Sequence, residues 1–135
     1  MVRRVLAIAV AAALSAACAG APGRAFAPPP AGTDEAAARE VLGRFVRALD
    51  AGRFDEAHAL LSARWRLAYA TPARLALDFR GGGGTAREAA LRVAQLLAAG
   101  APLSRAPDGT RLPIGGDRAA RLVVEGGGWR VDALE

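Results

Sequence analysis

Apolar positions along this chain follow two rhythms, and the change between them comes near residue 101. In the first part they recur every three or four residues, as on one face of a helix. Val41, Leu42, Phe45, Val46 and Leu49 form the clearest such stripe, with Arg39, Glu40, Arg44, Arg47 and Asp50 mostly outside it. The pattern predicts a helix starting at Thr33 or Asp34, either of which can accept from the exposed first-turn amides. Gly52 ends it where a left-handed residue is favoured. Glu35–Arg39 and Glu40–Arg44 are i,i+4 pairs in the favourable order. A second helix is expected over 54–64, with Ala57, Leu60 and Leu61 inward. Trp65, Leu67 and Tyr69 then alternate, which predicts a short extended piece. Thr71-Pro72 opens another helix, threonine as cap and proline at the first position, carrying Leu75, Leu77 and Phe79 to the core. Residues 81–84 are all glycine and predict a loop. Thr85 with Glu88 reads as a capping box for a helix over 86–99 that stops at Gly100. Its expected stripe is Leu91, Ala94 and Leu97, widened by Val93 and Leu96, which predicts burial on more than one side.

Beyond residue 101 the period shortens to two. Pro102, Pro107, Asp108-Gly109, Pro113 and Gly115-Gly116 mark turns, with short strands between them. Ala120, Leu122 and Val124 alternate with Arg121, Val123 and Glu125. After three glycines, Trp129, Val131 and Ala133 alternate with Arg130 and Asp132. Both apolar sets share a face only if the hairpin loop holds an even number of residues. A two-residue Gly126-Gly127 turn sets Val124 opposite Trp129 and Arg121 opposite Asp132; a four-residue loop also keeps the parity. Helices first and strands last predict an α+β domain: N-terminal helices packed on a small antiparallel sheet that ends in a C-terminal hairpin. The chain has room for three or four strands.

The start of the chain reads differently. Arg3 and Arg4 precede an apolar run over 5–14, and the small residues Ser15, Ala16 and Ala17 precede Cys18. This order of charge, apolar run and small residues is an export signal. The run falls well short of the about 20 apolar residues needed to span a bilayer. Residues 14–18 resemble the lipobox of bacterial lipoproteins, with Ser15 where that family most often has leucine. The resemblance implies a diacylglyceryl thioether on Cys18 and, in many bacteria, an acyl amide on the new N-terminus. Ordinary secretion, with cleavage at the A-x-A-like Ala17-Cys18-Ala19, is the alternative. Residues 19–32 carry Pro22, Gly23, Pro28-Pro29-Pro30 and Gly32. A polyproline stretch at about 3.1 Å per residue lets this linker hold a domain up to roughly 40 Å from a membrane. The expected organisation is a signal peptide over 1–17, a lipidated cysteine and tether over 18–33, and one domain over 34–135.

Composition narrows the function. The chain has 135 residues, a formal charge of +5 and one cysteine, so no internal disulfide is available. All 18 basic residues are arginine. They are spread along the chain rather than clustered, and no stacking aromatics accompany them, which argues against nucleic acid as a partner. Without lysine there is neither a Schiff base nor a P-loop. With one histidine and one cysteine, no zinc site of the usual spacing can be built, and no cofactor is expected.

The domain resembles the nuclear-transport-factor-2-like superfamily of cone-shaped α+β proteins, common among bacterial lipoproteins. The matching residues are the opening helix with Val41-Leu42-Gly43-Arg44-Phe45-Val46-Arg47-Ala48-Leu49, the step Asp50-Ala51-Gly52-Arg53-Phe54-Asp55-Glu56-Ala57, and the closing strand Gly128-Trp129-Arg130-Val131-Asp132. Enzymes of that superfamily place Asp, His, Tyr or Arg inside the cone. The resemblance therefore makes Tyr69, Asp78, Asp108 and Asp132 polar candidates here, and Trp65, Tyr69, Asp78 and Trp129 a candidate pocket. Asp78 lies between Leu77 and Phe79, so an inward orientation would raise its pKa; the alternative is that the helix turns it outward. Asp108-Gly109 is most simply a turn. Trp129 is explained by core packing, and Trp65, between two arginines, is either core or a contact surface.

Asp55, His58 and Ser62 would share a face of one helix, an acid, base and nucleophile by type. No G-x-S-x-G accompanies them, and a mid-helix serine tends to bond its own backbone, so a structural histidine is expected. The glycine run before Thr85 lacks the lysine and buried strand of a phosphate loop. Together these features predict an envelope lipoprotein, on the periplasmic or outer face, held by Cys18 at a membrane. Its expected role is non-enzymatic, binding or assembling with an envelope protein or small ligand. An isomerase or hydrolase of the resembled superfamily is the alternative.

Overall fold

The computed structural model describes residues 31–134, with side chains from residue 34; the expected signal segment 1–17, Cys18 and residues 19–30 of the expected tether lie outside the described residues. Among the described residues five helices precede four strands: α1 (Ala31–Asp50), α2 (Phe54–Ala59), α3 (Ala63–Ala68), α4 (Pro72–Gly81), α5 (Thr85–Ala98), β1 (Ser104–Ala106), β2 (Gly109–Gly115), β3 (Arg118–Glu125) and β4 (Gly128–Leu134). The fold is α+β. The strands form an antiparallel meander in the order β1-β2-β3-β4. Thr110, Leu112, Ile114, Ala120, Leu122 and Val131 are buried under α1 and α5.

The α1 stripe is buried much as the spacing predicts: Leu42, Phe45, Val46 and Leu49 sit in the core with Ala38, and Val41 is partly buried against it. Gly52 stops the helix at φ 71°. The Gly52 amide bonds the Leu49 carbonyl and the Arg53 amide the Ala48 carbonyl, a Schellman end. The helix begins at Ala31, upstream of the expected start. Asp34 is in its first turn and accepts from Trp129 Nε1 at 3.2 Å. Glu35 and Arg39 pair at 3.0 Å, whereas Arg44 lies 3.8 Å from Glu56 rather than pairing with Glu40.

The segment expected as one helix over 54–64 is broken. Leu60 caps α2, Leu61 bridges Val131 in parallel, and Ser62 caps α3 by accepting from the Trp65 amide. The Val131 amide donates to the Leu60 carbonyl and the Ser62 amide to the Val131 carbonyl. Tertiary pairing with β4 thus overrides helical continuity and covers an edge that would otherwise be open. The piece expected as extended is helix α3. Trp65 and Tyr69 are four apart and share its inner face, while Leu67 is 85% exposed.

Thr71 and Pro72 act as predicted at the start of α4, the threonine accepting from the Arg74 amide. Leu75 is buried and Phe79 half-buried, but Leu77 is turned to solvent, because a helix cannot bury positions 75, 77 and 79 together. Gly81 finishes α4, and the loop is 82–84. No capping box forms: Gly84 occupies the N-cap of α5, which leaves Thr85 inside the helix. The buried face of α5 is Ala89, Ala90 and Val93, while Leu91 is 50% exposed. The helix is rotated from the expected stripe, and its short residues let it sit close to α1 and β2.

Gly126 and Gly127, with φ of 59° and 78°, make the two-residue turn, a type I′ geometry suited to strand twist. Val124 faces Trp129 as expected. The register then shifts: Leu122 pairs Val131 but Arg121 pairs Ala133. A bulge at Asp132 replaces the expected Arg121–Asp132 pairing and frees this carboxylate to meet other groups.

Candidate functional site

Three of the four residues singled out as a pocket come together. Trp65, Tyr69 and Asp78 line a cavity of about 220 Å³ with Phe45, Leu49, Leu75, Phe79, Thr85, Ala86 and Leu134. The caps at Ser62 and Thr71 start α3 and α4, whose side chains line the cavity together with Phe45 and Leu49 of α1. Trp65 lies edge-on to Tyr69, with ring centroids 5.7 Å apart at 82°, and tilted against Phe45 at 6.2 Å. Trp129 is elsewhere. It lines a separate, larger groove of about 380 Å³ with Asp34, Glu35, Arg105 and Asp108.

The polar feature of the aromatic cavity is one hydrogen bond. Tyr69 Oη donates to Asp78 Oδ2 at 2.6 Å. Burial first, then the hydrogen bond to Asp78 and its negative charge, push the phenol pKa up to about 12; the Arg74 charge opposes them. Tyr69 therefore stays protonated at neutral pH, a donor rather than a base. Asp78 is exposed at the mouth, and its Oδ1 lies beside Gly82, where a Cβ would stand 3.5 Å from it.

Asp132 is placed quite differently. Its side chain is 7% exposed. Ser62 Oγ donates to Oδ1 at 2.7 Å, and Arg64 donates to Oδ1, Oδ2 and the Asp132 carbonyl at 3.1, 2.8 and 2.8 Å. The Arg64 hydrogen bonds, the Ser62 hydrogen bond and the nearby arginine charges hold this carboxyl below its ordinary value, against the effect of burial. This cluster ties the start of α3 to β4. Asp108 sits in the turn between β1 and β2 and pairs with Arg121 at 2.8 Å.

The acid, base and nucleophile on one helix do not assemble. Ser62 belongs to the α3 cap, and its hydroxyl proton goes to Asp132. His58 is half-buried and donates from Nε2 to the Tyr69 carbonyl at 2.6 Å, fixing the end of α3 over α2. Asp55 is exposed. Among the described residues no three metal-ligating side chains converge, and no helix is long and apolar enough to cross a membrane.

The sequence missed Phe45, Leu75 and Phe79 as cavity wall, since periodicity marks them only as core, and missed Leu134 because the bulge at Asp132 shifts the strand's phase. It also missed Arg64 and Ser62 as partners of Asp132, for which separations of 68 and 70 residues leave no local signal. No family model matches the chain, and no curated protein or solved structure is significantly similar to it.

Proposed function

We propose that this chain is a lipid-anchored protein of the bacterial envelope whose small α+β domain is a binding module without chemistry of its own. The leader, Cys18 and the proline-rich tether support the anchor, through their resemblance to the lipobox. The aromatic cavity supports binding. The observation that carries the reading is the state of its one polar pair: Tyr69 is held protonated and already donates to Asp78. Such a pair orients a ligand at the mouth of an apolar cavity, as binding sites with few, placed polar groups do. Metabolic labelling with a lipid probe tests the anchor. The wild type is expected to label and Cys18→Ala not to; equal labelling of both removes the anchor.

The same pair is the observation that favours a second reading, an isomerase of the nuclear-transport-factor-2-like kind. There Asp78 would take a proton from a carbon acid and Tyr69 would donate to the developing oxyanion. Hydrogen exchange into a panel of enolisable ketones, abolished by Asp78→Asn, would establish it. Exchange at the uncatalysed rate would end it.

A further inference from the structure

We propose that the aromatic cavity takes a small organic cation, an alkylated or quaternary ammonium group, with Asp78 as its counter-charge. This rests on the binding reading above and gives its ligand a chemical class.

The wall carries most of the inference. Phe45, Trp65, Tyr69 and Phe79 all line the cavity, and elsewhere the described chain has just Phe54 and Trp129 as aromatic residues. Aromatic faces are negative and attract cations, trimethylammonium groups being a common case. Among the described residues Asp78 is the one carboxylate in that lining, and no described arginine lines it. In a chain so rich in arginine, Asp132, Asp108, Glu56 and Glu35 each have a guanidinium partner. Asp78 has none among the described residues, as is true of other exposed carboxylates such as Glu40, Asp50 and Asp55. What sets it apart is its place in the aromatic lining, with Arg74 one helical turn before it acting on the neighbouring Tyr69 by charge. Its Oδ2 accepts the hydrogen bond from Tyr69 Oη, and its Oδ1 accepts no hydrogen bond from the described residues.

Ligand charge follows from what covering the mouth would do. A neutral apolar molecule would strip water from a carboxylate that keeps a single protein donor, which is unfavourable. An anion adds repulsion from Asp78 and from the ring faces. A cation replaces the lost water with an ion pair and places its methyl groups on the rings. A cavity of about 220 Å³ admits a small head of this kind rather than a folded segment.

The test compares choline with its uncharged carbon isostere, dimethylbutanol, by calorimetric titration of the full-length protein in maltoside micelles. Choline is expected to bind at least tenfold more tightly. Asp78→Asn should erase that preference, and Tyr69→Phe should retain it, with thermal melts confirming that both variants fold. Equal affinity for the two probes overturns the cation assignment while leaving a binding module. So does a preference that survives in Asp78→Asn. Binding of neither probe, or binding to phosphatidylcholine vesicles without binding to free choline, also overturns it. The lipid-labelling experiment is read separately, so loss of the anchor and loss of the cation are distinguishable.

Discussion

Asp132 and Asp78 are both carboxylates facing a tyrosine or serine hydroxyl, yet they do opposite things. Asp132 sits in a β-bulge, nearly buried, with Ser62 and Arg64 supplying four hydrogen bonds to its side chain and carbonyl. Asp78 sits exposed on α4, with one bond from Tyr69 and one oxygen unclaimed among the described residues. Buried charge is tolerated only when its partners are complete, so the first site is built to hold the fold. Under the proposed binding reading, the spare acceptor capacity of Asp78 at the aromatic cavity is what a ligand would meet. Completeness of partners and depth together separate the two acids.

The largest way to break the comparison is to remove the segment that brings Ser62 and Arg64 to Asp132. Leu61 is fully buried and bridges Val131. Leu61→Ala is expected to cost about 3 kcal/mol, as for other buried leucines, measured by urea unfolding. A cost near zero would mean that the Leu61 side chain is not packed in the core beside Val131.

Acid sharpens the comparison next. The Asp132 carboxyl is held below its ordinary 3.8 in the folded state. Its contribution to stability is therefore complete above that value and is lost as pH falls through the lower, folded one. The melting temperature of the wild type should drop there, and Asp132→Asn should flatten that part of the curve. An unchanged acid limb in the variant would assign the loss to other groups.

Tyr69 gives a smaller and more local reading. It is the one tyrosine in the sequence, so tyrosinate absorbance reports it alone. Its midpoint should lie near 12, well above the ordinary 10.0. Because the folded pKa is the higher one, its contribution is present below 10.0 and lost as pH rises from there toward 12. Asp78→Asn should lower the midpoint without returning it to 10.0, since burial is the larger cause. A wild-type midpoint at the ordinary value would place the phenol in water and dissolve the cavity.

The smallest expected effect is at Leu67, which is 85% exposed on α3. Leu67→Ser should change stability by less than about 0.5 kcal/mol. A large loss would favour an extended, buried segment there over a helix.

These two acid sites also mark how far the sequence could be read. The parity of two alternating strands required an even loop of two or four residues, and the structure selects the two-residue Gly126-Gly127 turn. The α1 stripe and the Thr71-Pro72 start were legible because cap and period are local properties. The bulge at Asp132 was not, since nothing within β3 or β4 signals an extra residue; its reason is Arg64, on a helix far along the chain. Likewise the break after α2 needs Val131 to supply a backbone partner. Trp65, Tyr69 and Asp78 could be named as a set, but the alternation of Trp65, Leu67 and Tyr69 suggested a strand. The same residues at four-residue spacing fit a helix, and only packing against Phe45 decides between them. On α5 the expected stripe held in part: Val93 is buried and Leu96 and Leu97 pack half-buried against the core, but Leu91 and Ala94 face solvent, and close approach to α1 and β2 buries Ala89 and Ala90 instead.

The most direct measurement is chemical unfolding of the wild type, Asp132→Asn and Asp78→Asn side by side. Loss of the charge-assisted bonds to Asp132 is expected to cost about 2 kcal/mol, and the change at exposed Asp78 less than about 0.5 kcal/mol. An Asp78→Asn protein destabilised as much as the Asp132→Asn protein would contradict the account, because the cavity carboxylate would then be part of the scaffold rather than held out for a ligand.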